Sequence, residues 1–393
     1  FGTPLYLYSR RAIEVAFDGY ADALRARASL VCYAVKANSN LAVLDLLARR
    51  GAGFDIVSGG ELARVLAVGA DPSRIVFSGV GKSEAEIEQA LLTDILCFNI
   101  ESHAELERVD AVARRCGKRA RISVRVNPDV DALTHPYIST GLKETKFGVA
   151  YADTLALYQS AAQRPSIEIV GIDCHIGSQI TAIAPYLDAA ERIIDLVDAL
   201  LRNGIRLQHI DFGGGLGVRY DDESPPSAGA LVIALLERLD ARGHGALTTM
   251  FEPGRSIVGN AGVLVTRVEY LKSAEARNFA IVDAAMNDLM RPAMYDAWMN
   301  VVPVSPRAGA GTVYDVVGPI CESGDWLARE RRLALEPGDL LAILGAGAYG
   351  MAMSSNYNTR PRAAEVMVDG TVAHLVRRRE SVEALFFEES RLP

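Results

Sequence analysis

From residue 30 to about 255 the chain alternates short apolar runs with longer stretches whose apolar positions recur at helical spacing. The runs at 31–36, 53–58, 74–78, 95–100, 121–127, 168–176, 207–212 and 248–252 predict strands. Between them, segments such as NLAVLDLLARRG and PYLDAAERIIDLVDALLRNG carry one apolar face and close on glycine, which predicts helices. Eight strands with intervening helices predict a (β/α)8 TIM barrel. A doubly wound sheet is the alternative, because periodicity does not set closure. After Arg255 the pattern changes. VLVTRVEYLK, NFAIVDAA, TVYDVVGPIC, DLLAILGAG and RAAEVMVDGTVAHLVRR read as strands with turn signals and few helices, hence a β domain of sandwich or barrel type. The opening TPLYLYS reads as one more strand of that domain. The expected division is 9–257 for the barrel and 258–393, with strand 1–8, for the β domain.

Composition narrows the class without changing the architecture. At 393 residues, half of them apolar, the chain can bury a large core and a smaller second one. A net charge of −8 argues against a nucleic-acid face. The five cysteines, Cys32, Cys97, Cys116, Cys174 and Cys321, are scattered and form no CxxC pair. A disulfide framework or structural zinc site is therefore not expected, and a reducing cytoplasm fits. Neither a signal peptide nor a membrane-length apolar run stands out. The chain opens FGTPLY, without methionine and already strand-like, so a few natural residues are expected to precede it.

In a barrel, chemistry gathers at the C-terminal strand ends. Those ends carry Lys36, Asp55, Arg125 with Asn127, His175 with Ser178, Gly213-Gly214-Gly215, and Glu252-Pro-Gly254-Arg255. Strand alternation places Lys36 on the face of Cys32 and Ala34; a lysine reaching out into water is the plain alternative. Gly213 to Gly215 follow a strand at once, so their N–H groups can converge on an anion, although a dinucleotide-type turn or a flexible loop shares that pattern. Glu252 could be a base, a metal ligand or a partner for a heterocyclic N–H. No second acidic residue or histidine lies near it at ligand spacing, which disfavours metal. His175 could be an ordinary strand-end residue. Taken together, an amine, an anion cradle, a flat ring and a carboxylate match the needs of pyridoxal 5′-phosphate. A carboxylate at the ring nitrogen favours decarboxylation, whereas an arginine there would suit a racemase.

YAVKAN, FDIVSGGEL, HIGSQ, DFGGGLG, EPGR, GPICESGD and GAGAYG resemble the fold-type III pyridoxal-phosphate decarboxylases, which share their barrel with alanine racemase. The resemblance runs in order from residue 2 to about 388. THPYISTGLKETKFGV (134–149) and MNDLMRPAMYDAWM (286–299) are similar to the diaminopimelate decarboxylase family in particular, which makes L-lysine from meso-diaminopimelate. The resemblance implies that Lys36 is the Schiff-base lysine and that His175 stacks on the ring. It assigns the phosphate to Ser178, Gly213 to Gly215, Gly254, Arg255 and Tyr349, and the pyridine nitrogen to Glu252. Asp55 and Arg125 match positions near the cofactor. Cys321 would be the proton donor at Cα, reaching across from the partner in a homodimer; a buried structural cysteine is the alternative.

Diaminopimelate carries an amino-acid head at each end, so the end that does not react presents a carboxylate and an ammonium. Arg291 and Arg255 suit that carboxylate, since guanidinium pairs with it in a planar, two-bond geometry. The Tyr295 hydroxyl can assist and Glu322 can accept from the ammonium, with Tyr349 near the substrate. Arg291 and Tyr295, four residues apart, could equally be a surface pair on a helix turn. Lys143 and Lys146 read as solvated. The rival functions are decarboxylation of ornithine, arginine or carboxynorspermidine, a racemase, and a non-catalytic relative that binds a protein partner.

Overall fold

The computed structural model describes residues 1–131 and 146–393. Lys143 and most of the 134–149 stretch lie outside them. Two units make up the chain: Val15–Gly217 with Ser224–Ser256, and Phe1–Glu14 with Val218–Glu223 and Ile257–Pro393.

In the second of these units a strand β1 (Leu5–Ser9) opens the chain. The first unit is a closed parallel barrel. Its strands are β2 (Ser29–Ala34), β3 (Gly53–Ile56), β4 (Ile75–Phe77), β5 (Cys97–Ile100) and β6 (Ala120–Asn127). A two-residue β7 (Val149–Ala150) flanks β6, and β8 (Ile167–Cys174), β9 (His209–Asp211) and β10 (Thr248–Phe251) complete the set. Spatial order runs β5-β4-β3-β2-β10-β9-β8-β6, and pairing of β5 with β6 closes the ring. The barrel is the correct alternative, since an open doubly wound sheet would leave those two strands unpaired.

Helices start where a strand exit supplies a short polar cap. Asn40, Ser58, Ser83, Ser102 and Ser227 each accept a hydrogen bond from a backbone N–H in the first turn, and Ser83 forms a reciprocal box with Glu86. The connections after β2, β3, β4 and β5 are short.

Register decides what fills the inside. Leu30, Cys32, Val76, Cys97, Val170 and Met250 form an apolar plug. Gly171 faces His209 across β8 and β9, and a β-carbon on Gly171 would lie 1.9 Å from the imidazole Nε2. The buried His209 ring therefore occupies the volume that glycine leaves, and burial lowers its pKa to about 4. Two residues further along, the same register pairs Arg125 with Asp173 and Asp173 with Asp211. Polar side chains thus take over from apolar ones toward the C-terminal ends.

The other unit is β-rich. Its further strands are β11 (Gly262–Ser273), β12 (Asn278–Val282), β13 (Val301–Pro303), β14 (Thr312–Val317), β15 (Trp326–Leu333), β16 (Leu340–Ile343), β17 (Ala364–Asp369) and β18 (Val372–Arg377). The main order is β15-β14-β12-β11-β1-β17-β18, with β16 and β13 branching from β11. The opening strand β1 pairs antiparallel with β11 and parallel with β17. Val265, Val366, Leu5 and Ala364 pack where these strands meet.

Candidate active site

Lys36 does not end a strand. β2 stops at Ala34, and Val35–Ala37 make a single 3₁₀ turn that lifts the lysine off the sheet. Val35 and Lys36 therefore do not follow the strand alternation expected over 31–36. The local reason is in the sequence: the Asn38 side chain accepts from the Asn40 N–H at 3.1 Å, and Asn40 caps the next helix, so the chain must turn at once. Lys36 Nζ lies 2.5 Å from Asp55 Oδ2, at the end of neighbouring β3. The lysine is about a third exposed while Asp55 is fully buried.

The glycine loop after β9 is tightly wrapped. Gly213 and Gly215 have φ of +65° and +99°, where other residues are strained. A β-carbon on Gly214 would lie 2.1 Å from the Glu252 carbonyl oxygen, and one on Gly215 would lie 2.3 Å from the Gly177 carbonyl. The Gly214 N–H donates to His175 Nδ1 at 3.1 Å. That bond makes Nδ1 the acceptor, and burial with the nearby Arg125 and Lys36 charges lowers the His175 pKa well below its usual value. His175 is thus a neutral ring with its proton on Nε2. Ser178 Oγ accepts from Arg255 Nη2 at 2.9 Å, which joins two of the expected phosphate ligands. Gly254 packs closely against the end of β2 and the turn that follows: a β-carbon on it would lie 2.9 Å from that of Ala37.

Glu252 is buried, with Oε1 accepting from Asn99 Nδ2 at 3.3 Å. Burial, followed by Asp55, Asp211 and Asp173, pushes its pKa well up. Arg125, also buried, donates to Glu101 Oε1 at 3.3 Å and lies over the Phe147 ring. Glu101 further accepts from the Gly79 and Gly148 N–H groups, tying three strand exits together.

In the β-rich unit, Cys321 is exposed and its N–H donates to Asn358 Oδ1 at 3.0 Å, so it is not a buried structural thiol. Its loop is pinned by the buried Asp325, which accepts from the Met286 and Ile320 N–H groups at 2.7 Å each. Glu322 accepts from the Tyr357 hydroxyl. Arg291 and Tyr295 bound one short helix. They are not a simple surface pair: Arg291 is buried, stacked on the Tyr220 ring at 4.5 Å with Nη1 3.5 Å from Met299 Sδ, and Tyr295 is half-buried. Tyr349 has φ of +55° in the glycine-rich loop after β16. Lys146 is exposed, as expected.

Asp173, Asp211, Asn99, Glu101 and Asp325 were not legible as site residues. The expectation against a metal searched near Glu252 along the chain. In space, carboxylate oxygens of Asp173, Asp211 and Glu252 all lie within 4.8 Å of one another. They come from three strands, so chain spacing says nothing about them. The usable signal was a carboxylate inside an apolar run, in VGIDCH and QHIDFGG.

The donor set fits pyridoxal phosphate. It offers a partly exposed amine, a tightly wrapped glycine loop and a buried carboxylate.

The barrel is that of the pyridoxal-dependent lyases. The family described as "Pyridoxal-dependent decarboxylase, pyridoxal binding domain" matches residues 10–259. The diaminopimelate decarboxylase of Pseudomonas aeruginosa is 62% identical over all of this chain and 94% of its own length. That of Vibrio cholerae is 56% identical over the same shares. The crystal structure of the Helicobacter pylori diaminopimelate decarboxylase complexed with L-lysine superposes with a TM-score of 0.95 at 44% identity, over 99% of this chain and 97% of that one. The chain belongs to the pyridoxal-dependent decarboxylases, within the diaminopimelate decarboxylase family.

Proposed function

We propose that this chain is a pyridoxal-phosphate-dependent carboxy-lyase that converts meso-2,6-diaminopimelate to L-lysine and carbon dioxide, the last step of lysine biosynthesis. One observation carries the reading. Lys36, Gly213 to Gly215 and Glu252 follow β2, β9 and β10, and β10 pairs with both of the others. When bound, the cofactor supplies an electron-accepting ring for the charge left at the substrate's α-carbon.

The chain's own residues then divide the work. Lys36 carries the cofactor, with Asp55 orienting its amine. The glycine loop, Ser178, Gly254, Arg255 and Tyr349 hold the phosphate dianion. Neutral His175 offers a flat face, Glu252 keeps the ring nitrogen protonated, and Arg125 balances the acidic groups beside it. Cys321, supplied by the partner subunit of a homodimer, returns a proton to Cα. Arg291 and Arg255 take the distal carboxylate, aided by the Tyr295 and Tyr349 hydroxyls, while Glu322 accepts from the distal ammonium. Lysine leaves because it lacks one of the two carboxylates that hold the substrate. Free cysteines at all five positions support a cytoplasmic location. No described helix is long and apolar enough to cross a membrane.

The protein incubated with meso-diaminopimelate and pyridoxal phosphate should release lysine and carbon dioxide. Faster turnover of ornithine, arginine or carboxynorspermidine would overturn the substrate assignment, and no turnover of any would leave the binding-only relative. Arg291→Ala should raise KM for diaminopimelate about 10- to 100-fold, the size of a lost charged hydrogen bond, with cofactor absorbance unchanged. Arg291→Lys keeps the charge but loses the planar fork, so its KM should fall between the two. An unaltered KM in steady-state assays would remove Arg291 from substrate recognition.

A further inference from the structure

The barrel holds more buried negative charge than its cations can balance. Asp55 pairs with Lys36, and Glu101 pairs with Arg125. That leaves Asp173, Asp211 and Glu252, whose carboxylates lie within 4.8 Å of one another and are each at most 5% exposed. Among the described residues, neither oxygen of Asp173 has a hydrogen-bond partner, and neither does Asp211 Oδ2. Asp211 Oδ1 accepts from the Gly213 N–H at 2.8 Å. The remaining titratable neighbours, Cys32, Cys97, Cys174 and Tyr158, are buried and kept protonated by burial and by these same acids. They therefore cannot relieve the charge. Three carboxylates this close in an apolar interior cannot all be ionised. A proton on an unpartnered oxygen solves both problems, since it removes a charge and turns an orphaned acceptor into a donor.

We propose that Asp173 and Asp211 are held as neutral acids and that Asp173 donates its proton as a hydrogen bond within the cluster, leaving the single negative charge on Glu252. Asp173 is then a positioning residue: it fixes which carboxylate is the anion. This rests on the reading that Glu252 serves the cofactor's ring nitrogen, but the protonation itself does not. Burial pushes all three carboxyls up, Glu252 included; what singles out Glu252 as the anion is the Asn99 amide that donates to its Oε1. Burial raises the pKa of Asp173 to about 7 against the opposing Arg125 charge, with Glu101 and Asp55 adding to the rise, and burial with the Asp173 charge raises that of Asp211 well above the usual range. An acid whose folded pKa is raised stabilises the fold while protonated, and that contribution is lost as pH rises through the folded value. For Asp173 the loss falls between about 4 in the unfolded chain and about 7 in the folded one.

The test uses the full-length protein as purified. Its infrared spectrum at neutral pH, minus that of Asp173→Asn, should show the carbonyl band of a protonated carboxylic acid. Asp173→Asn keeps a neutral side chain of the same shape with a donor, so it should retain turnover within about threefold. Its thermal midpoint should also fall less than that of the wild type between pH 5 and pH 8. Asp173→Ala lacks the donor, and its turnover should fall about 10- to 100-fold, with a shifted pH midpoint in the absorbance of bound cofactor. A missing acid band would overturn the proposal, as would equal behaviour of the two variants or a stoichiometric metal ion retained through gel filtration. If Asp173→Ala does not fold, the infrared band and the Asp173→Asn profile decide alone. Should the acid band be present while diaminopimelate is not turned over, the functional reading fails and the protonation stands.

Discussion

Replacing Lys36 with alanine is expected to lower turnover of diaminopimelate by about 10³-fold or more, the scale on which loss of a covalent catalytic group acts. Among the described residues the buried Lys82 cannot replace it, being committed to Glu105 Oε1 at 2.6 Å and to the carbonyls of Gly79 and Asn99. The fold should lose some stability, because the fully buried Asp55 loses its ion pair, so the thermal midpoint should fall. The absorbance of lysine-bound cofactor should vanish, while circular dichroism below that midpoint shows that the variant is still folded. Borohydride should fix cofactor mass on the peptide containing residue 36 in the wild type and on no peptide in the variant. Undiminished turnover would remove Lys36, and with it the proposed function.

The barrel was legible because its main strands are largely buried and alternate with amphipathic helices, so short apolar runs stand out from amphipathic ones. The same logic hid part of the β-rich unit. β15 reads WLARERRL, and its Arg329, Glu330, Arg331 and Arg332 break the alternation that marks a strand. Arg331 is nonetheless buried, its guanidinium 3.2 Å from the Trp298 ring centroid, where a long side chain can put its charge on an aromatic face. β13, three residues long, is too short for any period to register. At the site, strand ends revealed the groups that point out of the barrel mouth. The carboxylates one layer below belong to no local motif; cross-strand register alone brings Asp173 beside Asp211. Lys36 shows the converse limit, since its position was legible but its conformation was decided by the Asn38–Asn40 turn behind it.

Gly214→Ala is expected to weaken cofactor binding about 100-fold, and to destabilise the fold by about 1–3 kcal/mol, the usual range for forcing a methyl group into a packed site. The cost is steric. The new β-carbon would fall 2.1 Å from the Glu252 carbonyl oxygen, which is backbone and cannot rotate away. Nor can the loop retreat freely. The Gly214 N–H is bonded to His175, its carbonyl accepts from the Tyr186 hydroxyl at 3.3 Å, and the Glu252 N–H donates to Gly213 O at 2.7 Å. Any shift that relieves the clash therefore moves the anion cradle, the His175 ring and the Glu252 strand end together. Gly81→Ala is the control, since nothing lies within 4 Å of its β-carbon position; a change within about 0.5 kcal/mol is expected there. Equilibrium titration with pyridoxal phosphate and urea unfolding of both variants separate the effects. Wild-type cofactor affinity in Gly214→Ala would mean that the loop after β9 does not hold the phosphate, because a cradle built from backbone N–H groups cannot survive displacement of the peptide that forms its centre.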